Sequence, residues 1–259
     1  MVIGKLFNWL RRTPETAPIS DALWSETMAA LPFLDRLDDV EQSRLRALSE
    51  AFLAEKEFST AGGLELTDAI CVSIAAQACL PILNLGLENY RHWVGIVVYP
   101  DEFVIPRVIE DDFGVVHEFD DVASGEAWDG GPVLISWHDA QMAGEGYNVV
   151  IHEFAHKLDM LNGEANGVPP LPNGVSRQQW EEALFAAYDD FCARVDAAEA
   201  SGDEFAEGVA LDPYAAENPG EFFAVMSESF FETPELLRDI YPAFYAQLAR
   251  FYRQDPATR

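Results

Sequence analysis

The spacing of apolar residues changes twice along the chain, and the changes divide it into three regions. Over residues 20–80 apolar positions recur at intervals of three and four, the repeat of helices with one buried face. A short helix is predicted over 20–31. A longer one opens at Asp38-Asp39-Val40-Glu41, with Leu45, Leu48, Phe52 and Leu53 on its inner face. Phe58 precedes a loop at 59–63. A helix over 67–80 follows, carrying Ile70, Cys71, Ile74, Ala75 and Ala78, small apolar residues that suit burial on most sides; Pro81 ends it.

From Trp93 the pattern becomes continuous and β-branched. Residues 94–99 read as a buried strand, 103–106 as a short strand or turn and 115–119 as a third candidate. After a turn-rich stretch at 124–131, residues 133–137 form a fourth, and together these predict a small mixed sheet. Helical spacing resumes over 146–161 and stops at Asn162-Gly163. A segment rich in Pro and Gly at 166–174 either shapes a cleft or merely connects. Ser176 then caps a helix with Trp180, Leu184, Tyr188, Phe191 and Val195 inward, and an acidic loop leads to Pro219. Helices over 221–231 and 235–252 finish the chain. With no internal repeat, the order of helices, small sheet and helices predicts an α+β fold in one domain over 20–259, after a flexible tail at 1–19.

Charge narrows the function. The 259 residues carry 16 Lys and Arg against 45 Asp and Glu, a formal net charge of −29. Such a surface repels phosphate backbones and anionic lipid, so neither nucleic acid nor a membrane is an expected partner. No stretch is long and apolar enough to span a bilayer, and the arginines at 11 and 12 follow the N-terminal apolar run rather than precede it. Three scattered cysteines, Cys71, Cys79 and Cys192, suit buried reduced thiols, and a cytoplasmic protein is expected.

The third region carries the chemistry, in Val149-Val150-Ile151-His152-Glu153-Phe154-Ala155-His156-Lys157-Leu158-Asp159. On a helix, His152 and His156 stand one above the other and can share a metal ion, with Glu153 placed to take a proton from an attacking water. A lone histidine on an apolar face is ordinarily a packed core residue. Here the flanks are apolar and the polar groups converge, and a buried His-Glu-His cluster without a cation is costly. A catalytic zinc site needs a third protein ligand and leaves a position open. No histidine follows His156, so that ligand is a carboxylate or one of His92, His117 and His138. Glu221 opens a helix after Pro219-Gly220 and is best placed. Glu228, two turns along, is either the ligand or a partner to an imidazole, and Glu217 is a poorer choice.

The pieces His-Glu-Phe-Ala-His-Lys-Leu-Asp at 152–159, Tyr-Ala-Ala at 214–216 and Glu-Phe-Phe-Ala-Val at 221–225 resemble the Mlc titration factor A family of bacterial metallopeptidases. More distantly they are similar to the catalytic domain of anthrax lethal factor. The resemblance implies a zincin-like fold of gluzincin type, with one zinc per chain held by His152, His156 and Glu221. It implies Glu153 as general base and Tyr214 as a donor near the metal. It further implies aminopeptidase-type hydrolysis of a peptide or protein substrate, and binding of the transcriptional repressor Mlc. Asp159 or Glu228 is expected to orient a histidine ring. In zincins the strand before the metal helix is usually a sheet edge that receives substrate, which makes 133–137 the candidate rail; the plain alternative is a core strand, and the two roles are compatible. The competing reading is a binding protein that sequesters a regulator, its zinc site structural; a structural site would ordinarily have four protein ligands and no need of Glu153.

Overall fold

In the computed structural model, residues 18–110, 116–144, 146–201 and 211–259 are described. The expected tail falls almost wholly outside them, as do most of the acidic loop before Pro213 and the side chain of His117. Ile19 is buried, and its N–H donates to Glu50 Oε1 at 3.0 Å.

Local signals set the first helices. Ser20 caps α1 (Asp21–Ala30), and Asp38 and Glu41 form a reciprocal capping box on α2 (Asp39–Glu55). Thr67 caps α3 (Asp68–Cys79), which is buried along most of its length as its small residues predict. Between α2 and α3, Phe58 lies in a strand, β1 (Glu57–Thr60), where the sequence suggests only the approach to a loop. The strand exists because β2 (Gly95–Tyr99) pairs with it in parallel, Phe58 opposite Ile96.

The sheet has the order β1-β2-β6-β5. Its first three strands are parallel, and β5 (Gly125–Ala127) runs antiparallel to β6 (Val133–Ser136). All four residues of β6 are buried, as an internal parallel strand requires. This corrects the expected substrate rail: 133–136 is a core strand, and the edge beside the metal helix is β5. The strands β3 (Phe103–Glu110) and β4 (Val116–Ala123) also differ from expectation. They join no larger sheet among the described residues and form an antiparallel two-stranded ribbon of their own.

A short helix, α4 (Trp137–Ala140), leads to α5 (Val149–Asp159), the helix of the His-Glu-x-x-His motif. Its back is fixed by aromatic rings: Phe154 lies 5.1 Å from Tyr90, 5.5 Å from Trp93 and 5.7 Å from Phe52 between centroids. Then come α6 (Arg177–Ser201), α7 (Pro219–Glu232), α8 (Pro234–Ile240) and α9 (Pro242–Tyr252). The last two replace the single helix expected over 235–252. Pro242 lacks the N–H that a continuing helix needs, so it starts a new one instead. One hydrophobic core runs from Ile19 in the first turn of described chain to Tyr252.

The loop after α5 connects and packs rather than lining the cleft. Gly167 has φ +78° and lies so close to Pro219 that a Cβ would meet its carbonyl; its N–H donates to Asp159 Oδ2 and its carbonyl accepts from Trp180 Nε1. Replacing Phe154 with alanine removes the ring that seats α5. It should cost about 3–5 kcal/mol of folding free energy, read by denaturant titration.

Candidate metal centre

Asn148 caps α5 by accepting from the Ile151 N–H at 2.8 Å, which fixes where the helix begins and hence the height of His152. The rings of His152 and His156 stand one turn apart, 4.8 Å between centroids. From α7, Glu221 approaches in the first turn, where Asn218 Oδ1 accepts from the Gly220 and Glu221 N–H groups. Its Oε2 lies 3.0 Å from His152 Nε2 and 3.1 Å from His156 Nε2, and the two Nε2 atoms are 3.1 Å apart. Among the described residues these three side chains form a group able to hold a metal ion. His92 and His138 are exposed and outside it.

The donor chemistry fits a cation. His152 Nδ1 lies 2.7 Å from Glu228 Oε1, an acceptor, so Nδ1 carries the ring proton and Nε2 presents a lone pair. That lone pair faces a carboxylate oxygen and a second imidazole nitrogen. Such a convergence is repulsive unless positive charge stands between the atoms. Burial pushes the His152 pKa down, but the bonds to Glu221 and Glu228 more than reverse this and raise it well above the ordinary value, so that without an ion a second proton on Nε2 stands in for the positive charge. For Glu221, burial is likewise outweighed by its two histidines, which hold it far below the usual carboxylate range. The site is built for positive charge.

Glu228 thus orients a histidine, as anticipated. Asp159 does not hydrogen-bond one: Oδ2 accepts from the Gly167 N–H at 2.6 Å, while Oδ1 and the Nδ1 of His156 are buried without a hydrogen-bond partner. The sequence gives no direct sign of Glu232. Its Oε1 accepts from the Gly144 N–H (2.9 Å) and Asn148 Nδ2 (2.8 Å), and its Oε2 from the Gly146 N–H (2.7 Å). Glu228 Oε2 accepts from the Asn148 N–H. Carboxylates of α7 therefore hold the loop that starts α5. Lys157 was also unforeseen. Its Nζ donates to the carbonyls of Trp128 and Gly131, tying the β5–β6 turn to α5, and burial lowers its pKa to about 8.

A cavity of about 350 Å³ lies in front of His152 and Glu153, walled by β5, Tyr147, Val149 and Tyr214. Glu153 is buried, and burial pushes its carboxyl up to about 7 although both histidines pull it down. Its carboxylate occupies the space where a side chain on Gly125 would be; a Cβ there would overlap it and lie 2.7 Å from Val149 Cγ2. Tyr214 is 54% exposed, its ring 6.1 Å from that of His152. Partial burial, with the carboxylates of Glu221 and Glu153, raises its phenol, which stays protonated and able to donate.

A helix carrying two imidazoles, a buried acid beside them and a carboxylate from a second helix define a metallopeptidase-like protein, and family comparison agrees. The chain belongs to the glucose-regulated metallo-peptidase M90 family, matching it over residues 6–253. It is 40% identical over 258 residues to Mlc titration factor A of Salmonella arizonae, covering 98% of this chain and 99% of that protein. The Mlc titration factor A proteins of Serratia proteamaculans and Yersinia pestis are 39% and 38% identical over 257 residues, 95% and 92% of their lengths and 98% of this chain. The family resemblance carried by the motifs is thereby borne out.

Gly125→Ala should displace the Glu153 carboxylate. Peptide turnover is expected to fall by roughly tenfold or more, with metal affinity unchanged by chelator competition. In metal-free protein, pH acts through raised carboxyls. Burial lifts Glu153 and Glu232 to about 7 and Asp159 to about 6. Between the unfolded value of about 4.3 and those values the folded state binds more protons than the unfolded chain, so stability falls as pH rises. Glu221, lowered, adds an opposite slope only around the unfolded value and is ionised in both states above about pH 5.5. Thermal melts in chelator should give a higher Tm near about pH 5 than near about pH 7.5; the reverse order would refute this account.

Proposed function

We propose that the chain is a zinc-dependent peptidase of gluzincin type, with aminopeptidase-type action on peptide or protein substrates. His152, His156 and Glu221 would hold one zinc ion. The observation that carries this reading is the convergence of their three lone-pair atoms to within 3.1 Å, beside a buried glutamate and an open cavity. When bound, the ion supplies Lewis-acid polarisation of the scissile carbonyl and lowers the pKa of water towards about 7.

The chain's own residues do the rest. Glu153, buried beside the cluster and facing the cavity, accepts a proton from the attacking water and returns it to the leaving amine. Glu228 keeps the His152 proton on Nδ1 and so keeps Nε2 free to donate its lone pair. The Tyr214 hydroxyl donates to the developing oxyanion, a contact worth roughly 3 kcal/mol when such a donor is lost. Among the described residues β5 is the last strand of the sheet, and an extended substrate can lie along it as an added strand. The same reading makes residues 20–259 one catalytic domain. A cytoplasmic location is supported by three cysteines that form no disulfide.

The relatives' name favours a second, compatible role: binding of an Mlc-type transcriptional repressor. A net charge of −29 would suit a basic face on such a partner. Glu153→Gln separates the two roles. It should lower kcat by about 10²–10⁴-fold while zinc content and repressor binding stay at wild-type level. Unaltered turnover in that variant would overturn the peptidase mechanism. A wild-type protein that binds the repressor but hydrolyses nothing would favour the binding role alone.

A further inference from the structure

The β3–β4 ribbon is the part of the molecule that the chemistry so far leaves without a use. A two-stranded ribbon standing apart from a larger sheet is at best marginally stable by itself, so exposing apolar side chains on one needs a reason. Residues paired across an antiparallel ribbon share a face. The register Val104–Val122, Pro106–Asp120 and Glu110–Val116 therefore puts Val104, Val116 and Val122 on one side. These valines are 58%, 53% and 61% exposed, and Asp120 among them is exposed too. On the opposite face Phe103, at the base, is buried and stacks on Tyr99 at 4.4 Å, while Phe119 further along is 48% exposed.

This apolar face runs into the cavity. Val122 itself forms part of the wall in front of His152 and Glu153. Only Ser124 separates β4 from β5, the edge strand beside Glu153, so one stretch of chain passes from the exposed ribbon into the cleft. From Val116 to Val122 it covers about 20 Å at 3.4 Å per residue.

Resting on the peptidase reading, we propose that this ribbon face is a substrate-docking surface that binds an extended, apolar and basic polypeptide segment roughly six residues long, continuous with the segment in the cleft. The apolar side chains of the segment lie on Val104, Val116 and Val122, and its cations face Asp120. The favoured substrate is then an unfolded stretch of protein, while a single-residue amide uses the cleft alone.

The test uses the full chain with Val104→Thr/Val116→Thr, which keeps strand-favouring branched side chains, and with Val104→Asp/Val116→Asp. Neither position lines the cavity. Two probes are compared: alanine p-nitroanilide, and a fluorescent peptide of about twelve residues alternating valine with lysine or serine. For the long peptide, KM should rise about fivefold in the threonine variant and more than about twentyfold in the aspartate variant, with kcat and nitroanilide turnover unchanged. Binding of the long peptide to a Glu153→Gln background, followed by anisotropy, should weaken in parallel. Loss of both activities together, or of neither, overturns the proposal. So does a wild-type dimer, seen by light scattering, that the aspartate variant makes monomeric, because the face would then belong to a second copy. If wild-type protein hydrolyses neither probe yet binding still depends on the valines, the peptidase reading fails and the docking surface stands.

Discussion

Three carboxylates along one stripe of α7, Glu228 and Glu232 buried and Glu221 half-buried, constrain everything around them. Glu221, Glu228 and Glu232 are spaced seven and four apart, so helical periodicity puts them on one face, and that face packs against α5. A buried carboxylate without compensation costs several kcal/mol. The compensation comes from the opposing helix and the loop that starts it: imidazoles for Glu221 and Glu228, and backbone N–H groups and an amide for Glu228 and Glu232. Because the acceptors are spaced along a rigid helix, the donors are held at matching heights. The pairing that makes the stripe tolerable also sets the orientation of His152.

The other parts of the site are held to the same helix from its remaining sides. Phe154 seats α5 among Phe52, Tyr90 and Trp93. Lys157 reaches the opposite way and fixes the turn that carries β5, so the edge strand keeps its distance from Glu153. Glycine at 125 leaves room for that glutamate under the strand. An acid of raised pKa therefore sits between a metal-binding cluster and a strand edge, an arrangement in which a peptide bond laid on the edge would meet both.

How much of this could be read from the sequence depended on whether the signal was local. The helices declare themselves through caps and spacing, and the His152–His156 pair through a motif whose geometry is that of a single helix. The three-residue strand Gly125-Glu126-Ala127 has no strand-forming residue, and β1 has only four residues with one large apolar side chain; pairing with β6 and β2 creates them. Without β5, 133–136 reads as a sheet edge as readily as a core strand. Helical spacing runs on across Pro242, which in the structure opens a new helix. Glu232 lies in a run of phenylalanines with nothing to distinguish it from a surface acid until its donors, more than 80 residues away in sequence, are folded beside it. The place of Glu221 at the start of a helix favours it over Glu228 at the ion and the family resemblance implies the same; in the structure Glu221 Oε2 faces both Nε2 atoms, whereas Glu228 reaches only Nδ1 of His152.

The central claim is that two imidazole nitrogens and one distant carboxylate oxygen hold a single divalent ion while leaving a place for solvent. X-ray absorption spectroscopy of the zinc-loaded protein and of its Glu221→Ala variant tests it most directly. The account predicts one zinc per chain, two imidazole shells near about 2.0–2.1 Å and light-atom oxygen ligands at about 2.0–2.2 Å. In the variant the zinc affinity should collapse. A zinc shell that is unchanged when Glu221 is removed, or one completed by four protein ligands, would contradict it.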